Sequence, residues 1–268
     1  MPTVTSNGTT LNYIREGGGA AVLLLPGYLF DAGSWRPQID ALRDSFDVVA
    51  LDLRGQFGSE TTADGYDLWN QAEDIRGVIE ALELGPVHLV GLSMGGMIGM
   101  RLALRHPGLV RSLVLMDTSA APEDPERVER YEAMMQVVEA GHIEAVLPAM
   151  PPIFLADDFV VAHREQVDGW LAQVGGCDPA GLVRAIDAVN KRDDISGRLG
   201  EIRVPALVIH GEQDVAIPVD QAQEVAARIP GGRLALVSGG HQSNVDRPDA
   251  TSRLIREFLL DAAVAQGR

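Results

Sequence analysis

Apolar residues along this chain follow two alternating rhythms. Short unbroken runs, beginning with Ala21-Val22-Leu23-Leu24-Leu25, are separated by longer stretches in which apolar positions recur every three or four residues. The first run stops at Pro26-Gly27, and its continuity predicts a strand buried on both faces, as in a mostly parallel sheet. Val48–Leu51, Val87–Val90, Leu113–Met116, Ala206–Ile209 and Leu234–Val237 read as further strands. Between them, Leu68, Ala72, Ile75, Ile79 and Leu82 mark one face of an amphipathic helix that Gly85-Pro86 ends. Other helices are expected from near Ser34, from Met94 to about Arg105, from Gln221 to Ile229, and from about Pro248 to Ala263. Asn7-Gly8, set between Val4-Thr5 and Thr9–Tyr13, is a strong hairpin signal.

Strands alternating with helices imply a parallel sheet covered on both faces, with right-handed crossovers. The alternation fails between about Ser119 and Gly197, where several helices and loops are expected to form an insertion over the sheet. The organisation read from the sequence is therefore a core of residues 1–118 and 198–268 and a helical cap of residues 119–197.

With 268 residues, 46% of them apolar and 22% charged, the chain has ordinary globular composition. A formal charge of −16 argues against nucleic acid and anionic membrane surfaces, both of which require clustered Lys and Arg. Cys177 is the only cysteine, so no intrachain disulfide can form, and its Gly-Gly-Cys-Asp-Pro loop makes it a poor nucleophile candidate. No run reaches the ~18 apolar residues of a membrane span, and Met1–Tyr13 lacks the basic start and apolar stretch of a signal peptide. A soluble, cytoplasmic protein is expected.

The sharpest chemical signal is Gly91-Leu92-Ser93-Met94-Gly95, between a buried strand and a helix start. A serine becomes a useful nucleophile when it is exposed, rigidly held and served by a base. A tight strand-to-helix turn meets the first two needs, flanking glycines remove clashes, and free N–H groups at the helix start suit developing negative charge. An acid and then a histidine are expected after late strands. Asp214, in Gly211-Glu212-Gln213-Asp214, and His241, in Gly239-Gly240-His241, both follow strands at their carboxyl ends, where open α/β sheets place their sites. Asp117 is a competing acid, Glu212 a weaker one, and Asp52 reads as structural. Among the remaining histidines, His106 reads as a helix cap, His88 and His210 as core groups, and His142 and His163 as residues of the insertion and weaker candidates for touching substrate. No histidine pair has metal-ligand spacing, so neither a metal nor another cofactor is expected. Backbone N–H groups of Met94 and of Tyr28, in the loop after the first buried strand, are the expected oxyanion donors.

Together these residues resemble the α/β-hydrolase superfamily across essentially the whole chain. Asp52-Leu53-Arg54-Gly55-Gln56-Phe57-Gly58-Ser59 looks like the family's D-x-R-G-x-G-x-S loop, and Ser93–Met97 and Val204–Ile209 are also typical. Asp178–Leu182, followed by Arg192-Asp193-Asp194, looks most like the 3-oxoadipate enol-lactonase branch and its related esterases. The resemblance implies a mostly parallel eight-stranded sheet with helices on both faces, and a cap that forms an acyl or lactone pocket. Two departures stand out. Pro26-Gly27 replaces the usual His-Gly before the oxyanion residue, and Phe57 stands where the loop pattern has glycine, narrowing or lining the entrance.

The chemistry expected is acyl transfer to water from a small ester or lactone, with Ser93 as nucleophile, His241 as base and Asp214 orienting the base. Met134, Met150, Phe154, Phe159 and Trp170 are candidate pocket residues. Arg54 is a candidate partner for a substrate carboxylate, and Arg36 a weaker one. A serine at the elbow disfavours the dehalogenases and epoxide hydrolases of this fold, which use aspartate there. Carbon–carbon bond hydrolysis and perhydrolysis share the triad and stay open. A slow-turnover ligand receptor on the same fold is the alternative of another class.

Overall fold

The computed structural model describes residues 1–266. Its eight strands are β1 (Thr3–Ser6), β2 (Thr9–Gly17), β3 (Ala21–Leu25), β4 (Asp47–Leu51), β5 (Val87–Leu92), β6 (Val110–Met116), β7 (Ala206–Gly211) and β8 (Arg233–Val237). They form one sheet in the order β1-β2-β4-β3-β5-β6-β7-β8. β1 and β2 form an antiparallel hairpin at one edge, β2 joins β4 antiparallel, and every pairing from β4 to β8 is parallel.

The unbroken apolar runs follow from helices covering both faces. Along β3, Leu23 and Leu25 join one buried cluster while Val22 and Leu24 join the other, and β6 divides in the same way. The helix Leu68–Ala81 turns Ala72, Ile75 and Ile79 to the first cluster, as its spacing requires. β8 departs from this pattern. It is the outer strand, and Leu234 and Leu236 are 38% and 43% exposed. The helix expected near Ser34 is a tight turn, Ala32–Trp35, capped by the Asp31 carboxylate and running into the helix Arg36–Leu42.

Between β6 and β7 the chain is helical: Pro125–Glu139, Ile143–Val146, Pro151–Phe154, Asp157–Ala162, Arg164–Gly175 and Pro179–Asn190. Polar ties fasten this segment to loops at the carboxyl ends of the parallel strands. Trp170 Nε1 donates to Leu29 O at 2.8 Å, Gln242 N to Phe154 O at 2.8 Å, and Ala156 N to an Asp246 carboxylate oxygen at 2.9 Å. The helices therefore lie over the sheet edge to which Ser93, Asp117, Asp214 and His241 are all delivered. No helix among the described residues is long and apolar enough to cross a membrane.

Candidate active site

Ser93 sits at the junction of β5 and the helix Met94–Arg105 with φ 51° and ψ −116°. A left-handed backbone at a non-glycine residue costs about 1–3 kcal/mol and persists only where its surroundings over-determine it. Here they do. Ser93 N–H donates to Met116 O at 2.8 Å, while Ser93 O accepts from Met97 N–H at 2.9 Å and from Thr118 Oγ1 at 2.7 Å. The flanking glycines are required by space: a Cβ on Gly91 would strike the backbone of Gly95, and one on Gly95 would strike the carbonyl of Leu25.

The loops after β7 and β8 bring two partners to this serine. His241 Nε2 lies 2.8 Å from Ser93 Oγ, and His241 Nδ1 lies 2.8 Å from Asp214 Oδ2. The other oxygen of Asp214 accepts from Ala216 N–H at 2.8 Å and Ile217 N–H at 2.9 Å, which fixes the carboxylate. An accepting Asp214 puts a proton on Nδ1 and leaves Nε2 free to accept from the serine hydroxyl. Burial opposes charge on His241, but the Asp214 charge and hydrogen bond, helped by Asp117 and Glu123, outweigh it and raise its pKa above 6.5.

Asp117 occupies a different role from the one open to it in the sequence. Its oxygens accept from Gly211 N–H at 2.7 Å and Ser243 Oγ at 2.5 Å, bracing the two loops rather than meeting His241. Burial first, and then the neighbouring Asp214 charge, push its carboxyl well above the usual range. His210 lies behind the pair, with Nε2 on Ile217 O at 3.0 Å, and burial lowers its pKa. Asp117, His210 and Asp214 offer ligand atoms within 4.8 Å of one another. The lone pairs of both carboxylates already serve backbone, hydroxyl and imidazole donors, so this donor set suits a hydrogen-bonded brace better than a cation.

A small cavity of about 40 Å³ lies against Ser93 and His241. Met97, Met134, Met135, Met150, Ile153 and Phe154 give it an apolar wall, and Tyr28 and Tyr131 also border it. Four thioether side chains can repack around ligands of different shape. Among the described residues, Glu123 is the one acidic group at the wall, and Arg192 holds it at 2.9 Å. Among the described residues the Tyr28 N–H has no protein acceptor. Met94 N–H belongs to the first turn of its helix and has no intrahelical acceptor.

Other sequence expectations need correction. Arg54 does not reach the cavity. It is buried against Asp74, with Nη2–Oδ1 at 2.6 Å and both side chains 3% exposed, because the loop turns it under the hairpin to donate to Asn7 O. Phe159 and Trp170 line a separate groove of about 560 Å³ on the other side of Phe154. Helix Arg164–Gly175 turns the Trp170 ring onto Phe30, 4.8 Å centroid to centroid, and away from Ser93. Phe57 packs half-buried on the core and borders neither space. Arg36 pairs with Glu16 at 2.7 Å and Asp40 at 2.8 Å. His106 caps the end of the helix Met94–Arg105, its N–H donating to Leu102 O at 2.7 Å, and its ring also bonds the Glu73 carboxylate at 2.9 Å. His163 stacks on Phe159, His142 is exposed, and Glu212 is exposed. Asp52 is structural, accepting from Ala32 N–H, Gly58 N–H and Asn12 Nδ2. Met97, four residues after Ser93 on the same helix, was reachable from spacing alone, whereas nothing local marks Glu123 or Ile186.

Residues 20–159 match the family described as alpha/beta hydrolase fold. The chain belongs to that family. Residues 171–267 of this α/β-hydrolase also match a family described as TAP-like protein. It is 30% identical to a putative carbamate hydrolase RutD of Agrobacterium fabrum, over 90% of this chain and 93% of that protein. An enol-lactonase from Burkholderia xenovorans superposes with a TM-score of 0.91 at 28% identity, covering 97% of this chain and 100% of the other. A thermophilic esterase from Thermogutta terrifontis also gives 0.91, at 26% identity, over 98% and 99%.

Proposed function

We propose that this α/β-hydrolase cleaves a carboxylic ester or lactone through an acyl-enzyme on Ser93. The observation that carries the reading is the continuous chain from Ser93 Oγ to His241 to Asp214, each link 2.8 Å, opening onto an apolar cavity. His241 takes the serine proton as Oγ attacks the carbonyl carbon, and the N–H groups of Tyr28 and Met94 hold the oxyanion. His241 then protonates the leaving alkoxide. In the second half it activates the water that releases the acid and restores Ser93. Asp214 keeps the required tautomer and stabilises the imidazolium. The substrate arrives as a small molecule, with its acyl or ring portion against the methionine wall.

Carbamates are the second reading, favoured by the name of the Agrobacterium relative, and the same serine attack applies to them. The test is hydrolysis of p-nitrophenyl esters of graded chain length, aliphatic and aromatic lactones, and simple carbamates by wild type and Ser93→Ala. Multiple turnovers that vanish in Ser93→Ala support the mechanism, and the best substrate class chooses between ester, lactone and carbamate. Activity that survives without Ser93, or no turnover on any of them, overturns it.

A further inference from the structure

The loop that supplies the Tyr28 N–H holds an unusual backbone. Phe30 N–H donates to Gly27 O at 3.3 Å, closing a turn with Tyr28 and Leu29 at its centre. Leu29, at the third position, has φ 65°. A positive φ at that position is the pattern of a type II turn, which selects glycine because a Cβ is disfavoured there. Left alone, a leucine would relax to negative φ, and the peptide groups on either side would rotate with it.

Two side chains oppose that relaxation, one on each flank of Leu29. From the core, Gln56 Oε1 accepts from Leu29 N–H at 2.9 Å, and Gln56 is fully buried. From the helical segment above, Trp170 Nε1 donates to Leu29 O at 2.8 Å. The indole is itself fixed, stacked on Phe30 at 4.8 Å and edge-on to Phe154 at 6.0 Å. Phe154 in turn lies 5.8 Å from the His241 ring. Trp170 thus touches neither the cavity beside Ser93 nor the triad, yet it bonds the residue next to the proposed oxyanion donor.

We propose that Trp170 is a positioning residue: its indole N–H latches the helix Arg164–Gly175 onto Leu29 and holds the oxyanion loop in its working shape. The inference rests on the acyl-enzyme reading above. Seating of this helix then sets how well the Tyr28 N–H meets the oxyanion, while substrate binding in the ground state depends on the methionine wall. Removing the latch should weaken transition-state binding and leave substrate binding nearly intact.

Trp170→Phe keeps an aromatic ring on Phe30 and Phe154 but removes the donor. Its kcat on the best p-nitrophenyl ester should fall about tenfold to a hundredfold, less than the full loss of an oxyanion donor, with KM within about twofold. Affinity for an alkyl boronic acid, which forms a tetrahedral adduct on Ser93, should fall by the same factor, while inhibition by the carboxylate product stays unchanged. Adding Leu29→Gly, which makes positive φ intrinsically acceptable, should recover most of the lost kcat. If Trp170→Phe does not fold, 3-benzothienylalanine at position 170, with sulfur in place of N–H, carries the same test. Unchanged kcat in a folded variant, or a loss confined to KM, overturns the latch while leaving the hydrolase reading intact. A wild type whose Ser93 neither turns over ester nor reacts with a fluorophosphonate overturns both.

Discussion

The loops at the carboxyl ends of the parallel strands and the helical segment of residues 125–190 both surround the same cavity, but they are specified in different ways. In the loops, chain position alone brings the groups together: Ser93 follows β5, Asp117 follows β6, Asp214 follows β7 and His241 follows β8, all on one edge of one sheet. In the helical segment, neighbours in space are decided by which face each short helix turns downward. Of its residues expected to line the pocket, Met134, Met150 and Phe154 do, while Phe159 and Trp170 face another groove. Strand ends fix chemistry through the backbone, whereas the helices tune shape through side chains that can be exchanged.

The sharpest way to break this comparison is at the strand ends. Ser93→Ala should lower kcat on the order of a millionfold, read by single- and multiple-turnover assays on p-nitrophenyl esters. Asp214→Asn comes next, at about ten-thousandfold, because the imidazole loses its tautomer and its charge partner. Asp117→Asn should cost less than about tenfold, since Asp117 braces loops and does not touch the histidine. A comparable loss in both aspartate variants would sink the assignment of Asp214 as the orienting acid.

A pH profile sharpens the same contrast. His241 must be neutral to accept the serine proton, and its raised pKa places the acid limb of kcat/KM above the ordinary histidine value of 6.5. Activity is lost as pH falls through that limb.

Smaller effects belong to the periphery. Arg54→Met leaves Asp74 buried without its partner, and chemical denaturation should show a loss of about 3–5 kcal/mol with kcat within about twofold of wild type. A drop in kcat/KM for carboxylate-bearing substrates alone would instead restore Arg54 as a binding residue. Met134→Ala opens the wall without touching Ser93 and should shift the preferred acyl length, changing kcat/KM by about tenfold per substrate. Unchanged chain-length preference would remove Met134 from the acyl site.

How much of this was legible follows from the range of each signal. The elbow at Ser93 was visible because Gly91 and Gly95 answer to contacts within a few residues or on the adjacent strand. His241 and Asp214 were visible because each follows a recognisable apolar run. Asp117 followed one too, and only the loop conformations decided between the two acids. Arg54 misled because its loop looks chemical, while its partner Asp74 lies twenty residues on in a helix. Trp170 misled because a large aromatic in a helical insertion suits a pocket wall, and its bond partner Leu29 is 141 residues away.

The sequence by itself determined the alternation of strands and helices, the hairpin at one edge, and the residues delivered to the carboxyl ends of the strands. These depend on unbroken apolar runs, on recurrence every three to four residues and on turn chemistry, which act locally. Only the tertiary structure decided which carboxylate meets His241, which methionines face Ser93, and that an indole clasps the left-handed Leu29. Those outcomes depend on the rotation of helices packed over the sheet, and no spacing along the chain encodes it.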